Sequence, residues 1–104
     1  MYKVRRGGVW FAWSIPKDLA NMRKHRVSFE EASTVFDDAY ARTSFDLDHS
    51  QDEDRFFLLG MSSRPRVLLV CHCYQENKST IRIISARKAN GKETEDYQRQ
   101  RYDA

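Results

Sequence analysis

The stretch from residue 55 to residue 86 decides the fold. It reads Arg55-Phe56-Phe57-Leu58-Leu59-Gly60, then Val67-Leu68-Leu69-Val70-Cys71-His72-Cys73-Tyr74, then Ser79-Thr80-Ile81-Arg82-Ile83-Ile84-Ser85-Ala86. Each run is short, rich in β-branched and aromatic residues, and closed by a polar turn, which predicts three strands in an antiparallel meander. Upstream, residues 40–54 are polar and acidic with only Phe45 and Leu47 to bury, predicting a loop with a short edge strand around Ala41 to Phe45.

Further upstream, Ser28-Phe29-Glu30-Glu31 has the pattern of a capping box, Ser28 bonding the Glu31 amide and the Glu31 carboxylate reaching back. Phe29, Ala32, Val35, Phe36 and Ala39 follow at helical spacing. That face is expected to pack on the sheet, with Glu30, Glu31, Thr34 and Asp38 in water. Ser14 as cap, Pro16 in the first turn and Ile15, Leu19 and Met22 at helical spacing predict an earlier helix ending near His25. Gly7-Gly8 bounds Val9-Trp10-Phe11-Ala12-Trp13, which reads as an opening strand covered on both faces, its aromatic residues assigned to the core. Downstream, residues 92–102 suit a peripheral helix whose only large apolar residues are Tyr97 and Tyr102. The expectation is an α+β domain in the order β-α-α-β-β-β-α, with an antiparallel sheet of about four to five strands. Two N-terminal helices pack on one face, and a C-terminal helix follows.

A chain of 104 residues, 40% of them hydrophobic, has room for one core, so residues 1–104 are read as a single domain. The longest apolar run, from Val67 to Cys73, is interrupted by His72 and falls far short of the ~20 residues of a membrane-spanning helix. No apolar leader follows the basic N-terminus, so a cytoplasmic protein with reduced cysteines is expected. Cys71 and Cys73 lie two residues apart on one strand and His72 points the other way. Neither a disulfide nor a metal cluster is expected there.

Charge is unevenly distributed. Residues 1–36 carry 7 basic and 3 acidic side chains, 37–54 carry 1 and 7, 55–92 carry 8 and 1, and 93–104 carry 2 and 4. The arginine-rich third block suits a polyanion such as nucleic acid. None of the general phosphate-loop, metalloprotease or nucleophile-elbow motifs is present, so function rests on neighbourhoods of side chains. These are Arg23-Lys24-His25, His49, Glu53 with Arg55, Arg82, Arg87-Lys88, and Glu93 with Tyr97. Arg82 stands between apolar neighbours and needs a carboxylate such as Glu53 or Asp54, or an anion. Arg87 and Lys88 leave the same strand toward the surface, where they can hold a phosphate. Lys24 closes a helix, where helix capping is the plain role, and His25 and His49 are the side-chain types best suited to proton transfer.

Three stretches together resemble the BrnT toxins: residues 23–32 with Val35-Phe36-Asp37-Asp38, then His49-Ser50 with Glu53 and Arg55 leading to Gly60, then residues 81–89. The likeness spans about residues 10–97. It implies a RelE-like fold and a metal-independent endoribonuclease without cofactor, the toxin of a bacterial type II toxin-antitoxin module that inhibits translation. It also implies a ribbon-helix-helix antitoxin partner (BrnA-like) through which alone operator DNA is bound. Carried onto this chain, Lys24, His25, Arg55, Arg82, Arg87 and Tyr97 are the catalytic candidates, with Glu53 beside them. Arg64, Arg66 and Lys88 are the RNA-binding candidates. Two departures stand out: Ser14 replaces the family's usual Asp after Trp13, and Arg26 replaces the Gly that usually follows Lys-His, which strains a left-handed helix end. The rival expectation is a binding module or degenerate toxin that acts only through antitoxin binding and autorepression.

Overall fold

The structure is a computed structural model describing residues 1–75 and 77–103. The strands are β1 (Tyr2–Arg6), β2 (Val9–Trp13), β3 (Arg42–Phe45), β4 (Phe56–Met61), β5 (Val67–Gln75) and β6 (Thr80–Lys88); the helices are α1 (Ile15–His25), α2 (Phe29–Thr34) and α3 (Gly91–Tyr102). A single 3-10 turn, Val35–Asp37, continues α2. The described residues form one sheet in the order β1-β2-β6-β5-β4-β3.

The expected meander is present: β4 pairs antiparallel with β5 and β5 with β6. Three features depart from the expectation. The sheet has six strands, it is mixed because β2 lies parallel to β6, and the chain opens with a further strand. That strand, β1, is joined to β2 by Gly7 and Gly8, both at positive φ, with Arg6 opposite Val9. A two-residue hairpin loop needs left-handed backbone at both positions, which glycine adopts without a Cβ clash. Because Tyr2–Arg6 alternates basic and apolar residues on an edge, it lacks the continuous apolar run that marks an interior strand. Nor is Val9–Trp13 covered throughout: Phe11, Ala12 and Trp13 are buried, while Val9 and Trp10 are exposed.

The core lies between the sheet and the first two helices. Phe11 and Trp13 of β2 meet Phe36 and Phe29 edge to face, with ring centroids 5.3 and 6.3 Å apart, and Leu68, Val70 and Ile83 complete the layer. Helix α1 is capped by Ser14, whose hydroxyl accepts from the Lys17 amide, but its orientation overturns the apolar-stripe expectation. Ile15, Leu19 and Met22 are exposed and Asn21 is buried. The reason is backbone pairing. Strand β2 meets β6 only as far as Arg82, so later residues on that side lack a strand neighbour. The Asn21 side chain donates to Ala86 O at 2.8 Å and to Val27 O at 2.9 Å, and accepts from Ala86 N. One buried amide thus satisfies one backbone donor and two backbone acceptors that would otherwise cost about 1–3 kcal/mol each.

Helix α2 begins as predicted, with Ser28 Oγ accepting from the Glu31 amide at 3.0 Å. The Glu31 carboxylate does not stay in water: it is 5% exposed and accepts from Ser62 and from Arg66 Nε and Nη2 at 2.6–2.7 Å. Its pull on Arg66, together with the Arg66 bond to Arg26 O, fastens the β4–β5 turn to the turn between α1 and α2. Ala39, expected in the packed face, is exposed because the 3-10 turn ends the helical period at Asp37. Helix α3 is pinned rather than peripheral. Tyr97 is 1% exposed and donates to Asp38 Oδ2 at 2.7 Å, and Gln100 donates to Tyr40 O.

Candidate active site

The two faces of the sheet have different fates. Core residues Leu58, Leu68, Val70 and Ile83 point toward α1 and α2, so residues of opposite parity point away from those helices. Across β4, β5 and β6 this face, open where α3 does not reach, carries Phe57, Cys71 and Ser85 in one row, and Leu59, Leu69 and Arg87 in the next, over which Glu93, Asp96 and Gln100 of α3 stand. Cys73 lies opposite Arg82, and Arg55 stands one residue before Phe56, the partner of His72. A register shift between Cys71 and His72 leaves Ile84 without a partner, and it keeps Arg82 and Ser85 on the same face.

The geometry divides the candidate residues into two groups. The first lies on the open face around Cys73. Arg55 Nη2 stands 3.6 Å from Glu53 Oε1, and Glu53, Arg55 and Arg82 all act electrostatically on the Cys73 thiol. Burial, reinforced by Glu53, pushes that thiol up to about 11 against the two guanidiniums, so it is protonated and a poor nucleophile at neutral pH. His49 joins this group: a cleft lined by His49, Gln51, Asp52, Glu53 and Arg55 opens here. His49 Nδ1 contacts both Asp46 oxygens at 3.1 and 3.2 Å. The buried Asp46 is itself tied down, its amide donating to Arg55 O at 2.8 Å while the Arg55 amide donates to Ser50 Oγ at 3.0 Å. Arg82 forms no ion pair among the described residues, so the expected Glu53 or Asp54 partner is not there; Glu53 sits with Arg55 instead. Arg55 Nε is buried and has no hydrogen-bond partner among the described residues.

The second group lies at one end of the sheet. Lys24 and His25 close α1 one turn beyond Asn21, which grips Ala86; the Arg66 guanidinium reaches Arg26 O; and Lys88 lies opposite Leu68. Arg64 belongs to the same β4–β5 turn. Arg66 is committed to Glu31, and Arg87 is held by Glu93 through two bonds of 2.9 and 3.0 Å. In each pair the guanidinium holds the carboxylate below its ordinary pKa. Arg82 and Arg87 are separated by four residues of β5, about 13 Å between backbones, and the Arg87 guanidinium is turned to Glu93 of α3. Tyr97 belongs to neither group. Its buried hydroxyl is spent on Asp38, and burial and that carboxylate raise its pKa.

Sequence reading named Arg55, Arg82, Glu53 and His49, yet it did not foresee Asp46 as the partner that orients His49. The signal was Asp46 and His49 three residues apart in an acidic loop, where no periodicity distinguishes one carboxylate from its neighbours. A larger cleft between α2 and the β4–β5 turn has a mixed lining, Glu30, Glu31, Asp37 and Asp38 against Arg6, Arg64 and Arg101, with Arg6 paired to Asp37, rather than the single positive sign that suits a polyanion. Among the described residues no group of His, Cys, Asp and Glu could hold a metal ion, and no helix is long and apolar enough to cross a membrane.

Comparison with known proteins agrees with this architecture. The crystal structure of the Brucella abortus ribonuclease toxin BrnT is similar, with a TM-score of 0.59 and 20% sequence identity; the match covers 77% of this chain and 95% of that one. It shares the fold. No curated protein matches the sequence. A family model described as "Ribonuclease toxin, BrnT, of type II toxin-antitoxin system" matches residues 13–93, an interval holding both groups of basic residues, His49, Glu53 and most of the sheet. On that match over most of its length, the chain belongs to the BrnT family of ribonuclease toxins of type II toxin-antitoxin systems.

Proposed function

We propose that the open face around Arg55 and Arg82 is the cleavage site of a metal-independent endoribonuclease. The observation that carries the reading is a pair of guanidiniums flanking Cys73, one without a carboxylate partner and one with an unmet donor among the described residues, beside an exposed His49 held by the buried Asp46. The chemistry follows from the residue types. His49 Nε2 takes the proton of a ribose 2′-hydroxyl while Asp46 holds the ring by Nδ1 and stabilises the imidazolium. The 2′-oxygen attacks the adjacent phosphorus, the bond to the 5′-oxygen breaks, and that oxygen leaves with the proton that His49 took from the 2′-hydroxyl. The products are a 2′,3′-cyclic phosphate and a 5′-hydroxyl. Arg55 and Arg82 stabilise the charge on the pentacovalent phosphorus, the electrostatic role that a metal ion fills in other nucleases.

In this reading Lys24, His25, Arg64 and Lys88 are RNA-backbone contacts at the end of the sheet rather than proton carriers, because they stand away from Arg55 and Arg82. Tyr97 is a structural residue, and Arg87 holds a phosphate only if it exchanges its Glu93 partner. A type II toxin has a cognate antitoxin. We place a ribbon-helix-helix antitoxin with an acidic segment on the basic face, binding operator DNA through the antitoxin alone, in the cytoplasm where translated RNA is the target. Complex formation is then expected to weaken as salt rises.

The test is cleavage of a defined RNA in EDTA by the purified chain and by Arg82→Ala. Wild type is expected to produce 5′-hydroxyl ends, with the variant slower by about 10²–10³ at an unchanged unfolding temperature. Equal cleavage by both proteins would remove Arg82 from the site. Cleavage abolished by EDTA and restored by a divalent cation would overturn the metal-independent step.

A further inference from the structure

The open face does not stop at β6. Ala12 of β2 lies opposite Arg82 and Trp10 opposite Thr80, while on the outer side Lys3 of β1 lies opposite Ala12 and Arg5 opposite Trp10. Residues opposite one another share a face, so Trp10, Lys3, Arg5 and Arg82 all stand on the side away from α1 and α2. The three aromatic residues of β2, assigned together to the core from sequence, therefore part company. Phe11 and Trp13 are 2% and 4% exposed under the helices, whereas Trp10 is 39% exposed on the open side. Its ring already engages cations: Lys3 Nζ lies 5.5 Å and Arg5 Cζ 5.8 Å from the centroid. From Trp10 to Arg82 is one strand across and two residues along, about 8 Å between backbones. Only the small side chains of Ala12 and Thr80, both buried, stand between them on that face.

An exposed indole beside cations, one short step from a phosphate-binding arginine, has the composition of a single-stranded nucleic-acid platform. The ring stacks on a base, and the flanking charges follow the backbone. We propose that Trp10, flanked by Lys3 and Arg5, stacks on an unpaired nucleobase of the RNA next to the phosphate held at Arg82. The proposal rests on the ribonuclease site described above and adds to it a subsite contributed by β1 and the start of β2. Residues 1–12, which supply Lys3, Arg5 and Trp10, lie outside the family match at 13–93, whereas Arg82 lies inside it. It also gives β1 a function: the hairpin at Gly7-Gly8 is what brings Lys3 and Arg5 over the indole.

The experiment titrates the full chain with a single-stranded 2′-O-methyl RNA, which lacks the attacking hydroxyl and stays intact, while following tryptophan fluorescence. Wild type is expected to show saturable quenching, because stacking brings a base onto the exposed indole while Trp13 stays buried. In Trp10→Leu, which keeps apolar bulk but no ring face, the quenching disappears and binding weakens about ten-fold. In Trp10→Phe, which has no indole to quench, binding followed by polarisation of a labelled RNA returns to within about two-fold of wild type. Unfolding temperatures of the three proteins serve as the check on folding. Equal affinity of wild type and Trp10→Leu, with wild-type cleavage intact, overturns the platform and leaves the ribonuclease reading standing. Quenching and ring-dependent binding without cleavage would support the platform while refuting the cleavage chemistry. Quenching by an acidic peptide but not by RNA would assign the surface to a protein partner and overturn the proposal.

Discussion

Replacing Arg66 by Ala separates a structural arginine from an RNA-binding one. Arg66 makes two bonds of 2.6 and 2.7 Å to Glu31 and one of 2.8 Å to Arg26 O, and Glu31 is 5% exposed. Removing one partner of a buried pair strands the other charge at a cost of about 3–5 kcal/mol. The Arg66 side chain is 25% exposed, so water reaches the site and the lower end, about 3 kcal/mol, is expected. For a chain of this size each kcal/mol moves the unfolding temperature by about 4 °C, giving a fall of about 12 °C at pH 7. The pH dependence supplies a second signature. In the wild type the Arg66 hydrogen bond holds Glu31 below its ordinary pKa against burial, so the stability is present above about pH 4.3 and lost as pH falls through the folded-state value. In the variant burial dominates and raises that pKa, so its penalty is relieved by protonation and the two proteins converge in acid. Thermal melts at pH 7 and about pH 4 read both effects, and Glu31→Gln, alone and combined with Arg66→Ala, closes the double-mutant cycle. A shift below about 3 °C, or a difference that does not shrink in acid, would refute the reasoning. Weakened RNA binding at an unchanged melting temperature would make Arg66 an RNA contact instead.

Three further outcomes follow from named contacts. Arg26 sits at φ 60° as the C-cap of α1, so Arg26→Gly is expected to stabilise by about 1 kcal/mol and raise the melting temperature by about 4 °C. No gain would mean that the arginine side chain contributes something that offsets the strain. A Cβ on Gly60 would lie 2.6 Å from Ala41 Cβ and 2.9 Å from Val35 Cγ1, so Gly60→Ala is expected to lose about 2–3 kcal/mol in urea denaturation. Tyr97→Phe removes a donor to Asp38 while the Met61 amide still donates to the same oxygen, giving a loss of about 1 kcal/mol by the same measurement. If that variant instead cleaved RNA about 100-fold more slowly while folded, Tyr97 would rejoin the proton-transfer step.

The residues whose pattern is local were legible without coordinates. Apolar runs at 56–61, 67–75 and 80–88 behave as strands because burial of their side chains outweighs any alternative, and Ser14 and Ser28 start helices because a hydroxyl satisfies a free amide within three residues. Where the reading failed, a distant partner decided. The apolar stripe of α1 yielded to Asn21 because β2 ends short of Ala86, and Glu31 turned inward because Arg66 stands opposite it 35 residues later. Strand β1 was missed because an edge strand needs no apolar run once a glycine hairpin sets its register.

By itself the sequence determined an α+β chain, a helix pair ahead of a three-strand meander, and the side-chain types from which the proposed RNA-cleaving site is drawn. The family match at residues 13–93 rests on that same linear information. Only the tertiary structure decided which of those side chains meet. Strand pairing put Arg82 beside Cys73 and Arg87 about 13 Å away at Leu69, while the fold of the acidic loop turned His49 onto Asp46. The physical reason is that a side chain's face follows from local parity, whereas its neighbour across the sheet depends on register, and register is set by contacts between residues far apart in the chain.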